Sequence, residues 1–282
     1  MIVIKSPQQM QAYSLAQRNL KKRIGLVPTM GALHAGHAKL IQVARKENDL
    51  VIVSIFVNPT QFGPKEDFRK YPRTFQKDLN VCKSSGADVV FAPSVQSMYP
   101  DGFCTYITVG KMGDVLCGLS RPGHFRGVAT VVAKLLNSTI PARAYFGQKD
   151  AQQVVIIKRF VEDLNFPVSV RVVPIVRHAD GLAMSSRNAY LNSAQRNDAV
   201  ILSQSLMVAR TLIRCGERNA VSIKNAIRKL IARVRRARID YVEIVNAATL
   251  VPLQKISGKT LIVLAVYIGS TRLIDNIVIE GK

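Results

Sequence analysis

Pro28-Thr29-Met30-Gly31-Ala32-Leu33-His34-Ala35-Gly36-His37 concentrates more chemistry than any other stretch of this 282-residue chain. It lies between an apolar run, Ile24 to Pro28, and a predicted helix, Ala38 to Lys46. His34 and His37 are three apart, so on a helical turn they share one face. A helix N-terminus presents unpaired N–H groups and the positive end of the dipole. Gly31 and Gly36 let backbone approach a ligand closely. Two imidazoles at such a site can donate hydrogen bonds to phosphate oxygens, and either can carry the positive charge that stabilises a leaving pyrophosphate. The chain has only 4 histidines, and these are two of them.

Other polar groups follow apolar runs in the same way. Asn58 and Gln61 come after Leu50 to Val57, and Lys149 and Asp150 come after Ala144 to Gly147. Open α/β sheets place ligands at these carboxyl ends of strands. A carboxamide such as Gln61 donates and accepts without adding charge, and Asn58-Pro59 also opens a turn. Ser185, Ser186 and Arg187 combine two hydroxyls with a guanidinium, a set suited to phosphate oxygens. Arg121-Pro122-Gly123-His124-Phe125-Arg126 reads as a loop before a helix, in which Arg121 and His124 either touch substrate or order the loop. No Gly-x-x-x-x-Gly-Lys-Ser/Thr loop and no Gly-x-Gly-x-x-Gly turn is present, so neither a P-loop enzyme nor a standard dinucleotide oxidoreductase is supported.

The elements that must position these groups alternate. Strands are expected at Ile24–Pro28, Leu50–Val57, Asp88–Pro93, Ala144–Gly147 and Val168–Val173. Helices are expected at Pro7–Asn19, Ala38–Lys46, Phe75–Ser84, Gly127–Asn137 and Ala151–Leu164. Continuous apolar runs suit strands covered on both faces, so the pattern predicts a Rossmann-like doubly wound parallel α/β sheet over residues 1–176. Residues 177–282 read as a smaller α+β domain carrying the Ser185-Ser186-Arg187 loop and helping to close the site. It has helices at Ala194–Cys215 and Ala220–Ala237 and strands at Tyr241–Val245, Leu261–Ile268 and Leu273–Ile279. Phe62 to Thr74, with Gly63, Pro64, Pro72 and a high charge density, is expected to form a mobile lid.

Lys plus Arg number 40 and Asp plus Glu 18, a net charge of +22. Such an excess raises the question of a nucleic-acid partner. It is spread along the chain, with 23 basic against 11 acidic residues in 1–176 and 17 against 7 in 177–282. The concentrated run from Lys224 through Arg228, Lys229, Arg233, Arg235, Arg236 and Arg238 has apolar residues at helical spacing and reads as one solvated helix face. Nucleic acid is therefore the weaker reading, and a positive field serves anionic substrates as well. The longest apolar run, Leu261 to Ile268, is too short to span a membrane. The N-terminus lacks the layout of a secretory signal, and Cys82, Cys104, Cys117 and Cys215 form no Cys-x-x-Cys pair. Reduced thiols and a cytoplasmic location are expected.

The motifs, taken in order, resemble one family. His-x-Gly-His after the first strand is similar to the nucleotidyltransferase superfamily. Phe56-Val57-Asn58-Pro59-Thr60-Gln61-Phe62, Tyr71-Pro72-Arg73-Thr74, Arg121 to Val128, Tyr145-Phe146-Gly147-Gln148-Lys149-Asp150, Met184-Ser185-Ser186-Arg187-Asn188 and Arg272-Leu273-Ile274-Asp275-Asn276 narrow it. Together they resemble the pantoate–β-alanine ligases from end to end.

The resemblance implies an ATP-dependent condensation of (R)-pantoate with β-alanine through a pantoyl-adenylate, with Mg²⁺ on the phosphates, in a homodimer. It implies ATP contacts from Met30, Gly31, Ala32, Leu33, His34, Ala35, Gly36 and His37, then from Gly147, Gln148, Lys149 and Asp150, and from Val176, Met184, Ser185, Ser186 and Arg187. Among these, His37, His34, Lys149, Ser185, Ser186 and Arg187 would act in catalysis, Asp150 on the ribose and Val176 on adenine through its backbone. Gln61, Gln153 and Asn58 would serve pantoate and β-alanine. No Asp/Glu spacing identifies a protein metal ligand. Gln148 stands where the family pattern has Glu, which puts the ordering of Lys149 in question. An RNA-binding protein on a class I synthetase-like fold is the rival reading.

Overall fold

Runs such as Leu-Val-Ile-Val-Ser-Ile at 50–55 bury nearly every side chain, which a strand can do only with cover on both faces. The computed structural model describes residues 1–64 and 66–281. Lys65, within the expected lid, and Lys282 lie outside the described residues. In chain order the elements are β1 (Ile2–Ile4), α1 (Pro7–Asn19), β2 (Ile24–Thr29), α2 (Ala35–Glu47), β3 (Leu50–Ile55), α3 (Phe75–Ser85), β4 (Val89–Phe91) and α4 (Val95–Met98). Then come α5 (Cys117–Ser120), α6 (His124–Thr139), β5 (Arg143–Gly147), α7 (Ala151–Asp163), β6 (Ser169–Val173), α8 (Ser193–Asp198), α9 (Ile201–Arg214), α10 (Ala220–Ile231), β7 (Ala237–Asn246), β8 (Gly258–Ile268) and β9 (Thr271–Gly281).

Two units emerge. The first is Met1–Asp114, Arg121–Gly147 and Ile156–Pro174, and the second is Val115–Ser120, Gln148–Val155 and Ile175–Lys282. The long segment of the second therefore begins at Ile175, and the unit also takes in two short segments that chain order assigned to the first. Gln152 ties those segments together: its Oε1 accepts the Cys117 N–H at 3.0 Å and its Nε2 donates to the Val115 carbonyl at 2.7 Å.

The first unit holds a six-stranded sheet in the order β1-β4-β3-β2-β5-β6, every pairing parallel. α2 and α3 bury Leu40, Ile41, Ala44 and Cys82 against Val27, Val51, Val53 and Val90. Truncating one such side chain, Ile41 for example, costs about 2–5 kcal/mol. α1 and α6 pack on each other and on β2. The strand order reverses between β2 and β5, and such switch points are where doubly wound sheets bind ligands. The carboxyl end of β2 leads into Met30 to His37, and that of β5 into Gln148 to Asp150. β1 was not legible as a strand, because three residues on a sheet edge show no period; it pairs Ile2–Ile4 with Val89–Phe91.

The second unit carries the antiparallel sheet β7-β8-β9. α9 and α10 bury Ile213, Ile223, Ile227 and Ile231 against Val242, Ile262, Leu264 and Val266. The single helix expected over Ala194–Cys215 is two: α8 begins with a capping box between Asn192 and Gln195, and the Val200 and Leu202 N–H groups donate to the carbonyls three residues back, which tightens the turn between α8 and α9. The helix expected to reach Ala237 ends at Ile231, where Arg233 and Val234 donate to the carbonyls three residues back. Arg238 consequently sits on β7, so the basic run is not one helical stripe. Among the described residues no helix is long and apolar enough to cross a membrane, and the four cysteines are free.

Candidate active site

His34 is the N-cap of α2, with extended backbone at φ −135° and ψ 178°. Its Nδ1 accepts the Gly36 N–H at 3.1 Å, and the His34 N–H donates to His37 Nδ1 at 3.3 Å. This is a capping box with two imidazoles in place of the usual Ser and Glu. Its chemical consequence is a fixed tautomer. A ring that accepts at Nδ1 carries its proton at Nε2, so both histidines are Nε2–H donors. The ring centroids are 4.1 Å apart.

The turn before this helix is strained and held. Gly31 has φ +84° and Ala32 φ +50°, and the left-handed region costs a residue with a Cβ about 1–2 kcal/mol. Asp78 of α3, 2% exposed, supports both amides that follow: its Oδ2 accepts the Ala32 N–H at 3.0 Å and its Oδ1 the Leu33 N–H at 2.8 Å. The Thr74 hydroxyl donates to the same carboxylate at 3.1 Å. Sequence reasoning missed Asp78. The available signal was an acidic residue on the buried side of a helix, four before Cys82.

Asn58 and Gln61 meet in the short turn Pro59–Gln61. Asn58 Nδ2 donates to Gln61 Oε1 and to the Gly127 carbonyl, both at 3.1 Å. Asn58 Oδ1 accepts the Tyr99 hydroxyl at 2.8 Å and the Thr60 hydroxyl at 2.9 Å. Asn58 is 1% exposed and spends its hydrogen bonds on the loop. Gln61 Nε2 lies 3.1 Å from Met30 Sδ, joining this loop to the β2 turn. Burial pushes the Tyr99 phenol up, against the Thr60 hydrogen bond, so it stays a neutral donor. Arg121 and His124 order the loop: His124 Nδ1 is 2.8 Å and Arg121 Nη2 3.3 Å from the Gln61 carbonyl. Arg121 is itself held by Glu66 through two hydrogen bonds of 2.7 and 2.6 Å. In the expected lid, Phe62 packs on Phe68 and Tyr71.

In the second unit, Gln148, Lys149 and Asp150 form a single 3-10 turn before α7, and Gln153 lies half-buried in the first turn of that helix. Ser185 caps the turn Ser186–Tyr190 by accepting the Arg187 N–H at 3.3 Å. Met184 donates its N–H to the Val176 carbonyl at 3.0 Å, which brings those two predicted residues together. Among the described residues no group of three His, Cys, Asp or Glu could hold a metal ion. The basic run is largely engaged elsewhere: Lys224 pairs with Glu243 at 3.0 Å, Arg236 with Asp198 at 2.6 Å, and Arg238 stacks on Tyr267 at 4.1 Å.

A parallel sheet with polar loops at the carboxyl ends of its strands, led by a histidine-capped helix, defines an α/β enzyme of the nucleotide-using class. The family model for pantoate-beta-alanine ligase matches residues 2–278, and the chain belongs to that family. The pantothenate synthetase of Acetivibrio thermocellus is 56% identical over 280 residues, covering 99% of this chain and 100% of the relative. That of Thermotoga neapolitana is 52% identical over 279 residues, again 99% and 100%. Among solved structures, pantothenate synthetase from Thermus thermophilus superposes with a TM-score of 0.94 at 42% identity, covering 98% of this chain and 99% of the other. The Francisella tularensis pantoate-beta-alanine ligase, complexed with beta-gamma ATP and beta-alanine, gives 0.80 at 39% identity, with 98% and 97% covered. The rival RNA-binding reading finds no support in these relatives.

Proposed function

We propose that the chain condenses (R)-pantoate with β-alanine, using ATP and releasing AMP and pyrophosphate. A free carboxylate is a poor acyl donor at neutral pH. Attack of a pantoate carboxylate oxygen on the α-phosphorus of ATP expels pyrophosphate and makes AMP the leaving group. The β-alanine amine then attacks the acyl carbon, forming the amide bond as the bond to AMP breaks. The observation that carries this reading is the histidine capping box, which engages Nδ1 of two imidazoles and leaves their Nε2–H groups as donors at a helix N-terminus. Donors placed in advance where charge develops are the main resource for such a step.

In this reading His34 and His37 donate to ATP phosphate oxygens, and Met30 to His37 meet the nucleotide through backbone. Lys149 supplies a point charge to the phosphates, Asp150 meets the ribose, and Ser185, Ser186 and Arg187 meet the triphosphate. Gly147, Gln148, Val176 and Met184 complete the nucleotide contacts. Gln61 and Gln153 hold pantoate, and Asn58 acts through its hydrogen bond to Gln61. ATP arrives as its Mg²⁺ complex, since Mg²⁺ keeps its waters and binds mainly through substrate phosphates. The family resemblance supports a homodimer and a cytoplasmic enzyme. The test is pyrophosphate release from Mg–ATP and pantoate, with and without β-alanine. Stoichiometric release that becomes turnover to pantothenate and AMP on adding β-alanine is expected; no pantoate-dependent release from folded protein would refute the assignment.

A further inference from the structure

Two neighbouring residues of β9 hold two separate loops. Asn276, 2% exposed, donates from Nδ2 to the Gln148 carbonyl at 2.9 Å and to the Lys149 carbonyl at 3.0 Å. Its Oδ1 faces Gln148 Nε2 at 3.4 Å. Asp275, also 2% exposed, takes Arg177 in a two-pronged pair, Nη1 to Oδ2 at 2.7 Å and Nη2 to Oδ1 at 2.9 Å. Arg177 Nη1 also donates to the Gly181 carbonyl at 3.0 Å. Arg177 bridges Ala183 in a narrow hairpin that runs into Met184 and Ser185. Successive side chains of a strand leave on opposite sides, so one dipeptide can reach two loops.

We propose that Asp275 and Asn276 are positioning residues for adenylation: they set the Gln148–Asp150 turn and the 176–187 segment in one frame, and so place Lys149 and the Ser185-Ser186-Arg187 loop against the same triphosphate. This rests on the reading that those loops serve ATP. Gln148 belongs to the device. With both Nδ2 protons of Asn276 given to carbonyls, its Oδ1 needs a donor, which the Gln148 carboxamide supplies and an ionised Glu does not. The Gln148 carboxamide thus completes the clasp in this chain.

The test measures kcat and KM for ATP and for pantoate in pyrophosphate release, with thermal unfolding as a control. The variants are Asn276→Ala, Arg177→Lys, Gln148→Glu and Lys149→Ala. The loss of three hydrogen bonds, one of them long at 3.4 Å, predicts that Asn276→Ala raises KM for ATP about tenfold with KM for pantoate unchanged. Arg177→Lys keeps the charge but loses the two-pronged pair, and raises KM for ATP severalfold. Gln148→Glu, on a less buried side chain that folding tolerates, raises it about twofold at neutral pH and recovers as acid protonates the new carboxyl into a donor. A lowered unfolding temperature with KM for ATP unmoved in all three would overturn the proposal, provided Lys149→Ala does raise it. An unchanged ATP dependence in Lys149→Ala would overturn the ATP-site reading itself, and the proposal with it.

Discussion

The Asp78 carboxylate accepts the Leu33 N–H at 2.8 Å and the Ala32 N–H at 3.0 Å, so a residue of α3 fixes the turn that aims His34. The contact spans 45 residues of chain. Asp78→Ala leaves two buried amides without acceptors and is expected to lower stability by about 2–4 kcal/mol. Pyrophosphate release should fall with it at temperatures where the variant is still folded. Urea unfolding together with the release assay checks this; a variant of full activity would show that the turn holds itself.

His37→Ala and Lys149→Ala are expected to lower the adenylation rate at least about a hundredfold while leaving the circular dichroism spectrum unchanged. His34→Ala should do the same and also cost about 1 kcal/mol, because the N-cap is removed. Wild-type pyrophosphate release in any of the three removes that residue from the chemistry.

Gly127 has no room for a side chain. A Cβ there would lie 2.7 Å from the Gln61 N and closer still to the Thr60 carbonyl. Gly127→Ala must displace the Asn58–Gln61 turn, with a stability cost of about 1–3 kcal/mol. KM for pantoate should rise while KM for ATP stays near wild type. Equal rises in both would mean that the turn does not belong to the pantoate site.

The Glu66–Arg121 pair makes one arm of the fold sensitive to acid. Burial pushes the Glu66 carboxyl up, but the hydrogen bonds and charge of Arg121 outweigh it and hold the group below its ordinary value of 4.5. A carboxyl depressed on folding contributes stability that is fully present above the unfolded value and is lost as pH falls through the folded one. Unfolding temperatures followed from pH 7 down to pH 3 should drop more steeply in wild type than in Glu66→Gln. Parallel curves would show that the pair adds no pH-dependent stability.

Much of this architecture was legible in local pattern. The strands at Ile24, Leu50 and Ala144 could be read because burial on both faces demands unbroken apolar runs. The α1 helix, Pro7–Asn19, matches its expected span, with Ser6 as cap and Pro7 just inside it. The histidines could be singled out because their type and spacing are rare in a chain with four of them. Elements failed where the backbone tightens locally under an apolar period that does not change. The break at Ala199 and the end of α10 at Ile231 arise from tightened turns inside sequences that keep a helical apolar period.

Composition, apolar runs and motif order by themselves determined the fold class, the strand ends that carry polar groups, and the family. Only the tertiary structure decided which nitrogen of His34 and His37 bears the proton, that Asn58 is spent on its own loop, and that Asp78, Asp275 and Asn276 hold the loops in place. The reason is physical. Hydrophobic periodicity is set by near neighbours and survives in a linear reading. A hydrogen bond is directional: those at His34, His37 and Asn58 join near neighbours but need the geometry of the folded turn, and those of Asp78, Asp275 and Asn276 join residues 45 to 128 positions apart, so they exist only once the chain has folded.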